Sequence, residues 1–182
     1  MLHIIKNYPL LLVKWALYGV ALLLLKLLSI FLSPALAGLS MLIGKNVLPY
    51  PLNLFHTHDD TLDGGQSQLG WPDVSGVKLW WQRTKWIARN PAYGFSAYVL
   101  GFKNEGVKVL YEKGEWVDDW NDGKLHYHAY VYEDSSGRKF FGFRNRYKLF
   151  GMIMSCWIGW NWDLYDGETH QLKIAIINRM KP

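Results

Sequence analysis

The stretch FHTHDDTLDGG, residues 55–65, gathers two histidines and three aspartates within eleven positions and closes on a glycine pair. Imidazole nitrogens and carboxylate oxygens are the ligands zinc takes, so His56, His58 and Asp60 form a candidate metal set. Asp59, Asp60 and Asp63 before Gly64 and Gly65 also suit calcium, a hard cation that draws several oxygens from a loop. The D-x-D-x-D-G spacing and the later bidentate glutamate of the calcium-binding helix-loop-helix are absent, however. A third reading needs no ion, and it is the one the residues favour. In an acidic structural turn, Asp63-Gly64-Gly65 sets the backbone path and the aspartates accept hydrogen bonds from loop amides or from Arg83 and Arg89. Replacing His56 or His58 is then mild, provided both rings are exposed.

A second pair, His126 and His128, alternates within an aromatic run, which places both rings on one face of a strand. They are expected to make ordinary hydrogen bonds beside Tyr130 and Tyr132, or to join His56 and His58 in a metal site. Known signatures match only in fragments. LNLFHTHDDTLDGG resembles the H-x-H-x-D-H signature of metallo-β-lactamases at His56, His58 and Asp60. Thr61 stands where that family has a histidine, and an apolar segment replaces its upstream strands. Glu133 after His128 resembles part of the first cupin motif, with the glycines misplaced. Cys156 is the single cysteine, so no disulfide forms within the chain, and its neighbours Met152, Ile153, Met154, Trp157 and Ile158 describe a packed thiol rather than a nucleophile. No residue takes a catalytic role on these grounds. No cofactor is the leading expectation, with calcium or zinc as alternatives.

The elements that would position these residues divide the chain by composition. Residues 7–44 hold no acid and only Lys14 and Lys26 as charges. That density suits a membrane segment, which needs about 20 mostly apolar residues. It predicts either one tilted helix from Leu10 to Ser33 or a hairpin or re-entrant pair broken near Ser33-Pro34, and the depth of Lys26 favours the broken form. A signal peptide cleaved after Ala35-Leu36-Ala37 is disfavoured by the segment's length and by Lys26. Of the 20 basic residues, four fall in the first 45 positions, which hold none of the 15 acids. The remaining chain is nearly neutral, so a high isoelectric point is no argument for nucleic acid.

One basic cluster remains, VKLWWQRTKWIARN, residues 77–90. Val77, Trp80, Trp81, Thr84 and Ile87 recur at helical spacing, with Lys78, Arg83, Lys85 and Arg89 on the rest of the surface, and Asn90-Pro91 ends the helix. Trp80, Trp81 and Trp86 with these four cations suit a bilayer interface or a partner surface, with core packing as the alternative. Beyond it, LHYHAYVYE and RKFFGFR flank the turn Asp134-Ser135-Ser136-Gly137, a hairpin signature. Residues 147–164 predict one bent strand or two, with Gly151 and Gly159 as bulges. Residues 106–118 and 171–177 complete an antiparallel meander of about five strands. The expected class is α+β: a membrane anchor over 1–45, then a small domain over 46–182 comprising an acidic loop (46–75), an amphipathic helix (76–90) and a sheet (91–182).

DDTLDGG followed by WWQRTKWIARNPAYGF resembles a group of small uncharacterised proteins of tailed bacteriophages and prophages, over roughly residues 8–100. The resemblance implies a phage-encoded protein of the bacterial inner membrane and transfers no catalytic residue. Two functional classes are expected. The first is a non-enzymatic envelope factor that binds lipid, a host envelope protein or another phage protein, as in superinfection exclusion or host takeover. The second is a metal-dependent enzyme acting on an envelope substrate through His56, His58, Asp60, His126 and His128. The first needs no special geometry and is preferred. The positive-inside rule places the soluble part in the cytoplasm, with both ends of a hairpin on that side.

Overall fold

A computed structural model describes residues 1–58, 60–65, 70, 73–115, 125–162 and 169–179. It is an α+β protein with a long apolar helix near the N-terminus and a six-stranded antiparallel sheet. Asp59 lies outside the described residues, as do 116–118 and 163–164 of the expected strands.

Helix α1 spans Leu2–Asn7 and helix α2 spans Pro9–Leu42. The second is one continuous helix, so the expected break near Ser33-Pro34 does not occur. Pro34 has no amide hydrogen to offer the Ile30 carbonyl one turn earlier. The Ser33 hydroxyl donates to that carbonyl instead, at 2.8 Å, and the Trp80 indole donates to the Pro34 carbonyl at 2.9 Å. The Ser33 bond gives the freed Ile30 carbonyl a donor, and the helix runs through the proline.

The chain forms two compact units, Met1–Gly19 with Gly101–Pro182, and Val20–Leu100. The compositional boundary at residue 45 is therefore not a unit boundary, because α2 contributes to both.

In the first unit the sheet order is β1-β6-β5-β4-β3-β2, all antiparallel, from β1 (Phe102–Lys103), β2 (Lys108–Glu115), β3 (Tyr127–Glu133), β4 (Lys139–Leu149), β5 (Met152–Trp162) and β6 (Thr169–Arg179). The expected meander is β2 to β6. The sixth strand is the two-residue β1, too short to show any alternation in sequence. The Asp134 turn joins β3 to β4 as expected. Its carboxylate accepts from the amides of Ser136 and Arg138 at 3.0 and 2.9 Å, from the Ser136 hydroxyl at 2.7 Å and from the Arg138 guanidinium at 2.8 Å. Of residues 147–164, 147–149 continue β4 and 152–162 form β5, because Phe150 and Gly151 both take positive φ and make a two-residue hairpin loop between Leu149 and Met152. Gly151 is thus a turn residue rather than the expected bulge. The Trp15 indole of α2 docks on the sheet by donating to the Lys173 carbonyl at 2.9 Å. Its ring meets Phe141 edge-on at 6.2 Å, and Val131, Phe141, Trp160 and Leu172 are all essentially without solvent exposure.

In the second unit Leu36, Ala37, Leu48, Phe55, Leu62 and Ile87 form the core. Leu36 and Ala37 come from α2, Phe55 from the short helical turn Leu52–Phe55 and Ile87 from helix α3, Gly76–Arg89, while Leu48 and Leu62 come from the connecting chain. A π-helical turn occupies Phe95–Val99, and among the described residues no strand begins before Phe102, so the sheet starts later than residue 91. Helix α3 forms where expected but presents a different face. Arg83, Thr84, Trp86 and Ile87 are buried, whereas Val77 is 79% and Trp81 52% exposed. The helix is pinned at its centre and C-terminal end, and its first turn projects away from the core.

Candidate functional site

The acidic turn is organised around His56, Asp63 and Arg83. His56 is 1% exposed. Its Nε2 accepts the Leu48 amide at 2.8 Å, and because an amide can only donate, the ring proton sits on Nδ1, which faces Asp60 Oδ1 at 3.1 Å. The Tyr98 hydroxyl donates to the same Asp60 oxygen. The His56 carbonyl takes the amides of Tyr93 and Gly94 at 2.9 and 3.2 Å. With both nitrogens engaged inside the protein, the ring has no lone pair left for a metal or for general-base work. Its role is to pin three segments together.

Asp63 behaves as an acidic structural turn requires. One carboxylate oxygen accepts the Gly65 amide at 3.1 Å, and the other accepts from Asn46 at 2.9 Å and lies 3.7 Å from the Arg83 guanidinium. Arg83 also donates to Ser40 Oγ at 2.9 Å and to the Lys45 carbonyl at 3.3 Å. It is therefore buried beneath the turn rather than on the solvated side of α3. Burial draws its pKa down while Asp63 pushes it back up. A guanidinium on Asp63 opposes any cation placed there. Arg89, the other expected partner, instead lies over the Trp86 ring at 5.3 Å.

Gly64 has φ +67, and a Cβ built on it would overlap the Trp86 indole. The Trp86 indole nitrogen in turn donates to Thr57 Oγ1 at 2.9 Å. His58 is half-buried, with its ring 5.2 Å from Trp86 and 5.7 Å from Tyr93.

The second histidine pair belongs to the sheet unit. His128 Nε2 meets Glu112 Oε1 of β2 at 2.8 Å, and its ring begins a column with Tyr130 and Tyr132, as strand alternation demands. Burial, then Glu112, raises the Tyr132 hydroxyl to about 12, and burial holds Tyr130 in its neutral form, donating to the Trp160 carbonyl. His126 is buried just ahead of β3, and its carbonyl accepts the Arg146 amide at 2.7 Å. The two histidine pairs thus fall in different units. Among the described residues, no three of His, Cys, Asp and Glu are grouped so as to hold a metal ion. Burial pushes the Cys156 thiol up, away from the thiolate that nucleophilic chemistry needs.

The remaining feature is the outward face of α2. Leu10, Val13, Leu17, Val20, Leu24 and Phe31 recur at spacings of three, four and seven residues and are all exposed, Phe31 by 81%. On the opposite side Gly19, Leu22, Ser29, Ser33, Ala37 and Ser40 are buried. Lys26 is half-buried there, with its ammonium 5.5 Å from the Tyr93 ring. Polarity is reversed relative to a helix on a water-soluble core, which turns its small and polar residues outward. Lipid-facing helices have this distribution, since small and hydroxyl residues suit protein contacts while aliphatic chains meet acyl chains. By length and composition α2 can cross a membrane. The reversed face lacked a sequence signal strong enough to assign, because the segment is apolar nearly all round.

These features define an α+β protein built on one long apolar helix, with an acidic turn whose His56 and Asp63 side chains are bonded within the chain. The chain belongs to a family of unknown function, DUF7338, whose match covers residues 6–182. No curated protein and no solved structure matches it.

Proposed function

We propose that this chain is a phage-encoded, non-enzymatic envelope or host-interaction factor, held at the bacterial inner membrane by α2 and exposing its sheet in the cytoplasm to a host or phage protein. The observation that carries the reading is the exposed aliphatic face of α2. Monomeric soluble proteins rarely expose contiguous apolar patches larger than a few hundred Å². The residues before Asp59 carry lysines and no acid, as contact with anionic lipid favours. The phage and host assignments rest on the sequence resemblance. The non-enzymatic assignment is supported by the internal duties of His56, Asp63 and Arg83.

The test is fractionation of cells expressing the full chain, with carbonate extraction of the membranes. Retention in the pellet is expected, together with release when Leu17, Leu24 and Phe31 are all replaced by serine. Recovery of the unaltered chain in the soluble fraction would overturn the reading.

A further inference from the structure

We infer that the outward stripe of α3, formed by Val77, Lys78, Trp81, Lys85 and Arg89, rests on the headgroups of anionic lipid, with Val77 and Trp81 at the boundary with the acyl chains. The inference rests on the membrane reading above and concerns the Val20–Leu100 unit alone. Steps of four residues carry one helix face through Val77, Trp81, Lys85 and Arg89, with Lys78 beside them. All five side chains are exposed. The other aromatic and cationic side chains of α3 are taken up inside the unit. Trp80 donates to the Pro34 carbonyl, Arg83 to Ser40 and Trp86 to Thr57.

The stripe is graded along its length. Val77 and Trp81 belong to its first half, Lys85 and Arg89 to its second. An indole favours headgroup depth with its apolar edge among the upper acyl carbons, whereas lysine and arginine keep their charge with phosphate and water. The Lys85 ammonium stands 5.9 Å from the Trp81 ring centroid, so aromatic and cationic groups adjoin where the two halves meet. The gradient tilts α3, its first turn deeper than its last.

Charge and position select the occupant. Helix α3 carries no acid, so its three exposed cations match an anionic headgroup layer better than a protein surface of mixed charge. The Trp80 bond seats the first half of α3 beside Pro34, and the exposed Phe31 lies three residues earlier on α2, about 4.5 Å along the helix axis. Lipid around Phe31 therefore brings headgroups within reach of Val77 and Trp81.

The full chain, with Cys156→Ser as background, is reconstituted into vesicles of phosphatidylethanolamine and phosphatidylglycerol. An environment-sensitive dye is attached through Val77→Cys or Arg89→Cys, and lipids spin-labelled at shallow or deep positions serve as quenchers. The dye at position 77 is expected to be quenched roughly twofold more by the shallow label than by the deep one, and more than the dye at position 89. Trp81→Ala, or Lys78→Glu with Lys85→Glu, should remove most of that quenching, as should exchange of both lipids for phosphatidylcholine. Chain that stays with the vesicles while the dye at position 77 is unquenched, or is quenched equally in phosphatidylcholine, would overturn the inference and leave α2 as the membrane contact. Stronger quenching by the deep label would overturn the headgroup placement. Dye self-quenching that persists without lipid would overturn the inference in favour of a second copy on that face. Chain that separates from the vesicles on flotation would defeat the membrane reading itself.

Discussion

Ser33 Oγ donates to the Ile30 carbonyl at 2.8 Å, the acceptor that Pro34 leaves without its amide. Ser33 is 2% exposed and Ile30 41%, so water has only partial access to the bond. Ser33→Ala is expected to destabilise the chain by about 1 kcal/mol, the net worth of a typical hydrogen bond. In a Pro34→Ala background the carbonyl regains an amide and the same change should cost far less. Chemical denaturation of the two single variants and the double variant measures this coupling, and additive effects would sink the repair argument.

Arg83 joins Ser40, the Lys45 carbonyl and Asp63 from a buried position. Arg83→Ala should cost about 3 kcal/mol, in the range for removing one partner of a buried ion pair. Arg83→Lys should recover little of it, since an ammonium cannot reproduce the planar fork. Equal stability of the lysine variant and the parent protein would contradict the geometry.

His56→Ala tests whether the ring is structural. The expectation of a mild effect assumed exposure, and the ring is buried on the Leu48 amide. Loss of the acceptor should cost about 1–3 kcal/mol. Metal content should not change. A stoichiometric metal in the purified protein that disappears in this variant would reverse the assignment.

Two glycines with the same backbone sign should respond differently. Gly64 and Gly151 have φ +67 and +75, but only Gly64 faces an obstacle, the Trp86 ring, while nothing lies within 4 Å of a Cβ at Gly151. Gly151→Ala should cost about 1–2 kcal/mol for the left-handed conformation alone. Gly64→Ala should cost more, because the Trp86 to Thr57 bond must shift as well. Comparable melting temperatures for the two variants would show that the indole yields freely.

Two groups give stability a sign at opposite ends of the pH scale. For Asp134, burial pushes the pKa up, but the Ser136 and Arg138 donors outweigh it and leave the carboxyl below its usual value. Its contribution is complete above the unfolded pKa of about 3.9 and is lost as pH falls through the folded value. Tyr132 is raised to about 12, so its contribution is complete below the unfolded value near 10 and is lost as pH rises toward 12. Asp134→Asn should therefore flatten the acid limb of a stability profile and Tyr132→Phe the alkaline limb. A profile in which either variant follows the parent at both ends would refute the assignment.

Local patterns in the sequence were enough to locate the meander β2 to β6, the Asp134 hairpin, the apolar N-terminal helix and α3, but not the two-residue β1. Strand alternation around His128, Tyr130 and Tyr132, the four donors available to one turn aspartate, and unbroken aliphatic density each act over a few residues. They could not specify which side of α2 meets protein, because apart from its two prolines only Lys14, Gly19, Lys26, Ser29, Ser33, Gly38 and Ser40 interrupt its apolar surface. Nor could they show that the Trp80 indole, 46 residues away, would donate to the Pro34 carbonyl. The acidic turn reads in sequence as a ligand set because residue types carry no record of their partners. Tertiary structure decided its use by bringing the Leu48 amide to His56 and the Arg83 guanidinium to Asp63, so that groups able to bind a metal are satisfied by the chain itself.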